Sequence, residues 1–235
     1  MKKCLFLSFL FIFCQMVFAQ ERFTITVKDN EDINSLMSNS RYVFPEFRTG
    51  KVIFNDFSTT NARLNYNMLT QEMQYVDAQN RILALVNPAE IASIQIDGRE
   101  FVYTPRGYAE VLAYAGNKAL LLHRRVKVAN EKPTGAYGTP SDVSAVERNT
   151  TYRFAYDGLS SVTDLGGEQR INLTVSQTIY LISGKTMYTP PSERNFSRLF
   201  GGDTRKIQNY VKSNKLDLKK PTDLIEVFNY LADNM

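Results

Sequence analysis

Apolar and polar residues alternate at every second position along much of this chain, the signature of strands with one covered face. The stretch "NARLNYN" (61–67) shows it: Ala62, Leu64 and Tyr66 fall on one side, Arg63, Asn65 and Asn67 on the other. The same period predicts strands over "RFTITVK" (22–28), "GKVIFNDF" (50–57) and "EMQYVD" (72–77), with Ser58-Thr59-Thr60 joining 50–57 to 61–67. "RILALVN" (81–87) is apolar nearly throughout, so it is expected near the middle of the sheet, ended by Asn87-Pro88. "SIQIDGREFVYT" (93–104) reads as a hairpin around Asp97-Gly98. "GYAEVLAYAG" (107–116) and "KALLLHRRVKV" (118–128) continue the series across Gly116-Asn117. "TYRFAYDG" (151–158), "QRINLTVS" (169–176) and "TIYLISG" (178–184) resume it, with Gly166-Gly167 as a turn.

Two segments break the alternation. "DNEDINS" (29–35) is a polar turn without the spaced acids and central glycine of a calcium loop. Residues 129–148, rich in Gly, Pro, Ser and Thr, read as a long loop. The period then changes near the end. "SERNFSRLFGG" (192–202) predicts a short helix closed by Gly201. "DTRKIQNYVKSNK" (203–215) places Ile207, Tyr210 and Val211 at helical spacing behind Asp203 as N-cap. "PTDLIEVFNYLADN" (221–234) lines up Leu224, Ile225, Phe228 and Leu231 behind Pro221. Strands first and helices last predict a mainly β, segregated α+β fold: a curved antiparallel sheet or partly open barrel followed by C-terminal helices. The expected division is 20–190 for the β domain and 191–235 for the helical unit.

The first residues change the picture of where such a sheet works. In "MKKCLFLSFLFIFCQMVFAQ", Lys2 and Lys3 precede the apolar run Leu5 to Phe13, and Val17-Phe18-Ala19 suits a signal peptidase. Residues 1–19 are therefore expected to be a signal peptide, cut before Gln20, and the run is short of the ~20 residues a membrane span needs. Phe13 stands where a lipobox before Cys14 needs a small residue. Both cysteines, Cys4 and Cys14, lie in this segment, so the exported chain is expected to carry no disulfide or thiolate chemistry. The formal charge is +4, and +2 once the two lysines leave, too small to argue for nucleic acid. The remaining length suffices for a sizeable core.

The segments "FPEFRTGKV", "LNYNMLTQEMQYVD" and "NPAEIASIQIDGREFVY" resemble a family of exported proteins from Bacteroidota, in residues Phe44 to Phe47, Asn65 to Asn67, Glu72-Met73, Asn87-Pro88 and Arg99 to Phe101. The tail "KIQNYVKSNKLDLKKPTDLIEVFNYL" is similar to that family's helical end. The resemblance implies the periplasm or the periplasmic side of the outer membrane, and it transfers no catalytic residue.

Candidate chemistry is sparse. One histidine, His123, and no cysteine after residue 19 leave no standard zinc site, so no metal or cofactor is expected. On a strand His123 shares a face with Arg125 and Lys127, a basic stripe for an anion or acidic partner, or a solvated face. No G-x-S-x-G elbow is present, and the glycines of "FGGDTRK" (200–206) lack the Walker and dinucleotide spacings. Glu46, Glu72 and Glu110 are nominal carboxylates for a hydrolase. The aromatics Tyr66 and Tyr75 sit on apolar faces, whereas Tyr42, Phe44 and Phe47, around Pro45, form a less regular docking segment. The reading is a non-enzymatic cell-envelope protein acting as an interaction or accessory module. Its partner is an envelope protein or surface polymer, with no nucleic acid and no integral span after cleavage. The alternatives are a periplasmic ligand-binding protein with its site in the sheet's concavity, and a carboxylate-dependent hydrolase.

Overall fold

The computed structural model describes residues 22–27, 40–130, 152–155, 158–161 and 169–234. The expected signal peptide, the turn at 29–35, the Gly166-Gly167 turn and nearly all of the 129–148 loop lie outside them. The strands are β1 (Arg22–Val27), β2 (Arg48–Phe54), β3 (Thr59–Asn67), β4 (Glu72–Val76), β5 (Ile82–Ala84), β6 (Ile91–Ile96), β7 (Arg99–Thr104), β8 (Gly107–Ala115), β9 (Lys118–Asn130), β10 (Tyr152–Ala155), β11 (Gly158–Ser161), β12 (Gln169–Ser183) and β13 (Thr186–Tyr188). Three helices follow: α1 (Glu193–Phe200), α2 (Thr204–Ser213) and α3 (Pro221–Asn234). The two strands expected at 169–176 and 178–184 are one, because pairing with β9 runs without a break through Gln177.

Eleven strands form one open antiparallel sheet in the order β1-β12-β9-β8-β7-β6-β2-β3-β4-β5, with β13 beside β12; β10 and β11 form a separate ribbon. Asp97 (φ 50°) and Gly98 (φ 73°) make the β6–β7 turn, two left-handed residues in a two-residue loop whose twist suits the strands. The segment 81–87 departs from expectation. Only Ile82–Ala84 pairs, and β5 is the last strand of the sheet rather than a central one. Its apolar residues serve the end of the fold instead: Ala84 is buried and Leu85 packs against the core, while Ile82 and Val86 are exposed.

Register decides what the sheet covers. Val52, Ile94, Phe101, Glu110, Leu122 and Ile179 face one another in a single row across β2, β6, β7, β8, β9 and β12. On this inner face the sheet curls. Tyr66 on β3 and Arg124 on β9 are five strands apart, about 24 Å on a flat sheet at the usual strand spacing. Yet the Tyr66 hydroxyl donates to the Arg124 carbonyl at 3.4 Å. The β3–β4 turn latches the curl: Val126 N–H donates to Met68 O at 2.9 Å, and Gln71 Nε2 donates to Arg124 O at 3.2 Å.

Two cores share that face. One fills the curl with Phe44, Val52, Leu64, Tyr66, Met73, Ile94, Ile96 and Phe101, joined by Val126, Leu173 and Val175. The other lies under the helices, where Phe196, Leu199, Ile207, Val211, Leu224, Val227, Phe228 and Leu231 pack on Ala113, Leu120 and Leu181. The helical ends follow the sequence signals. Ser192 and Asp203 cap α1 and α2 through bonds to Asn195 N and Arg205 N, and Gly201 closes α1 at φ 78°. Among the described residues, no helix is long and apolar enough to cross a membrane.

Gly50 marks a close approach of β2 to its neighbours β6 and β3. A Cβ there would stand 2.6 Å from Gln95 O and 3.0 Å from Ile96 Cγ1 and Leu64 Cδ1. Gly50→Ala is expected to cost about 1–2 kcal/mol through overpacking, read as a lowered urea midpoint with an unchanged m-value.

Candidate interaction surface

The docking segment expected at 42–47 is divided by the fold. Phe44 points inward and is 6% exposed, edge-on to Phe101 with ring centroids 6.2 Å apart. It is closed to a partner because buried Asn65 pins its backbone: Asn65 Oδ1 accepts from Phe44 N at 3.1 Å, and Nδ2 donates to Phe44 O at 2.8 Å. Tyr42 and Phe47 stay half-buried outside, 5.2 Å apart edge-to-face, and the Tyr42 hydroxyl donates to Gln74 Oε1 at 2.9 Å. Asn67 likewise shapes the β3–β4 turn, its Oδ1 accepting from Leu69 N and Thr70 N. Both asparagines lie opposite Leu64 and Tyr66, as alternation requires, but they are covered rather than solvated.

His123, Arg125 and Lys127 do share the outer face of β9, facing Thr178, Ser176 and Thr174 of β12. Arg125 and Lys127 are exposed and His123 is half-buried. Burial lowers the His123 pKa, and the charges of Arg125 and Arg106 lower it further, against a raising backbone bond to Arg106. The imidazole is therefore neutral at pH 7, and the stripe carries two cations rather than three.

The three nominal carboxylates have separate engagements. Glu46 pairs with Arg48 at the surface, 3.3 Å away, and Glu72 accepts from Gln74 Nε2 at 3.2 Å. Glu110 is enclosed by two arginines: Arg99 Nε donates to Oε1 at 2.8 Å, while Arg99 Nη2 and Arg124 Nη1 both donate to Oε2. Arg99 also lies over the rings of Phe44 and Phe101, at 4.9 and 5.5 Å. Burial raises the Glu110 pKa, but the hydrogen bonds and charges of the two arginines outweigh it and the net shift is downward. A carboxylate held ionised with both oxygens occupied ties strands together and does not donate protons. Nearby, burial pushes the Tyr108 phenol up to about 12.

The concavity that a ligand would need is filled by the side chains of the first core. Two hollows are open grooves: one of about 530 Å³ along Thr49, Lys51, Asn61, Gln95 and Glu100, and one of about 310 Å³ beside Asn55 and Glu90.

The exposed feature that alternation did not single out is Phe57. Alternation predicts a strand through it to the end of "GKVIFNDF". Instead β2 stops at Phe54, and Asn55 to Ser58 form the tip of the β2–β3 hairpin. Phe57 sits there at φ 66°, 89% exposed. The tip is held firmly: Asp56 Oδ1 accepts from Ser58 N at 2.9 Å, and Asn55 bonds through N and Nδ2 to Glu90 O and Ala89 O at 2.9 and 2.8 Å. The turn residues Asn55, Asp56 and Ser58 were the available signal. Farther along, Tyr114, 72% exposed, faces Ala119 on the outer side, in line with Ile182 and Met187. No protein family, curated protein or solved structure matches the chain.

Proposed function

We propose that this is an exported, non-enzymatic protein of the cell envelope that works by contact with another envelope component, in the periplasm or on the periplasmic side of the outer membrane. The observation that carries the reading is Phe57. A bulky aromatic in the left-handed region costs of order 1 kcal/mol, and glycine or asparagine would avoid it. Its ring is 89% exposed, so burial within the chain does not offset that cost. Backbone strain kept at an exposed tip supports the reading that the ring is presented to something else. The signal-like first nineteen residues and the resemblance to exported Bacteroidota proteins support the envelope as the place.

Phe57→Gly tests this by separating fold from contact. The variant is expected to be as stable as the parent or more so, by about 0.5–1 kcal/mol, because the left-handed strain is relieved. In mild cross-linking on envelopes of the native host, the parent recovers a reproducible companion and the glycine variant loses it. Equal recovery by both proteins, or recovery of the chain alone, overturns the reading.

A further inference from the structure

The geometry points to the chemistry that the β2–β3 tip receives: a polypeptide surface that sets a cationic side chain, arginine above all, beside an apolar cleft. This rests on the reading of Phe57 as a contact residue and names the kind of partner it meets. The tip is more than one ring. Asn55 ties it to the 3-10 turn Pro88–Glu90, and Val86, 67% exposed, comes just before that turn. The hollow of about 310 Å³ beside the tip is lined by Asp56 and Glu90 together with Phe54, Asn55 and Ser58. Apolar side chains and two carboxylates are therefore offered together.

The carboxylates lack a counter-charge. Among the described residues neither Asp56 nor Glu90 forms an ion pair, although Glu46, Asp77 and Glu110 each do. The two segments that meet here, Val52 to Ala62 and Ile82 to Gly98, contain no lysine or arginine. Their bonds are to neutral groups. Asp56 Oδ1 accepts from N and Oγ of Ser58 at 2.9 and 2.6 Å, and Glu90 Oε1 accepts from Asn87 Nδ2 at 3.4 Å. Those Ser58 bonds hold the Asp56 carboxyl below its usual range, so it stays charged at neutral pH. A guanidinium matches this surface better than an ammonium, because its planar fork pairs with a carboxylate and its face stacks on an aromatic ring.

Charge also decides between occupants. Two carboxylates beside Phe57 oppose an anionic lipid surface, so the ring is not built to enter one. A second copy of this chain offers Arg125 and Lys127 on the outer face of β9, but they stand opposite Ser176 and Thr174, which form no cleft for a phenyl ring. Another protein, with an apolar cleft rimmed by arginine, answers both features of the tip.

NMR titration of the full chain with millimolar acetyl-arginyl-leucinamide tests the chemistry. The amides of Asn55 to Ser58 and of Glu90 are expected to shift. Acetyl-citrullyl-leucinamide, alike in shape but uncharged, is expected to bind about fivefold more weakly. Asp56→Asn combined with Glu90→Gln keeps the side-chain shapes and the acceptor for Ser58 N. Its spectrum away from the tip is expected to match the parent's, and the arginine peptide is expected to lose its advantage. Vesicles of phosphatidylethanolamine and phosphatidylglycerol are expected to leave the tip signals unmoved. Equal shifts from both peptides, no shift from either, an advantage kept by the double variant, vesicle binding through Phe57 or self-association through the tip overturns the proposal. Cross-linking on envelopes separates this from the reading beneath it. The double variant is expected to lose the companion, as Phe57→Gly does. If the double variant keeps it while Phe57→Gly loses it, the cationic partner is overturned and contact through Phe57 stands. If Phe57→Gly keeps it too, contact through the tip is itself overturned.

Discussion

Glu110→Ala is expected to destabilise the protein by about 2–3 kcal/mol, through the loss of the one anion between two covered arginines. The reason lies in the row across the inner face. Every other member of it from Val52 to Ile179 is apolar, and Glu110 is the one charge. Its side chain is 12% exposed, and those of Arg99 and Arg124 are 28% and 17%. Removing the carboxylate leaves two guanidinium groups facing each other with little water, a loss that reaches about 3–5 kcal/mol in a closed interior. The residual exposure of both arginines is why the smaller figure is expected. Glu110→Gln keeps the shape and removes the charge, and its cost is expected to lie between those of the parent and the alanine variant. Urea denaturation at pH 7 measures all three, with circular dichroism confirming the sheet.

The same site fixes the sign of a pH effect. The folded pKa of Glu110 is below its unfolded value near 4.5. The stabilisation is therefore present above the unfolded pKa and drains away as pH falls through the folded one. The stability difference between parent and Glu110→Gln is expected to be largest near neutrality and to shrink on acidification below about pH 4.5, the ordinary range for such a carboxyl. A gap independent of pH would mean that the Glu110→Gln variant fails through packing, not through loss of charge.

Much of this architecture was open to reading because local chemistry and tertiary role agreed. Asp97-Gly98, Asp203, Gly201 and Pro221 each dictate a backbone conformation through their own side chains or lack of one, and the fold uses them so. Periodicity gave faces but not neighbours. It separated Asn65 from Leu64 without showing that residues 41–47 return to cover Asn65. It marked 81–87 as apolar without distinguishing a central strand from a closing edge. Strand order rests on contacts between residues far apart in sequence, such as those of the β3–β4 turn with β9, which no local pattern announces. Glu110 was visible as a carboxylate, but its arginines come from β7 and β9, and only the register brings them together. Phe57 was hidden because an aromatic at the end of a strand pattern reads as more strand.

The asparagine that periodicity placed on a solvated face provides the other large effect. Asn65 is wholly buried and makes three bonds to the chain crossing over it, to Phe44 N, Phe44 O and Glu46 O, the last at 3.3 Å. That crossing is not an ordinary strand. Val43 N donates to Tyr66 O and Met68 N to Arg41 O, but between these contacts and the start of β2 the amide of Asn65 stands in for a missing ladder. Asn65→Ala leaves a buried N–H and a buried carbonyl without partners, each worth about 1–3 kcal/mol, so a loss of about 2 kcal/mol is expected after some relaxation. The loss is expected to be local first, because few other bonds hold 44–47. Trypsin should cut after Arg41 or Arg48 in the variant at urea concentrations where the rest of the sheet still stands, whereas the parent resists until global unfolding. Asn65→Asp keeps the acceptor for Phe44 N but gives up both donors and introduces a buried charge, so it should be less stable than alanine at pH 7 and recover as the carboxyl is protonated. If Asn65→Asp matched the parent and neither variant opened the 41–48 segment to trypsin, the crossing would be held by Phe44 and its aromatic contacts rather than by the amide.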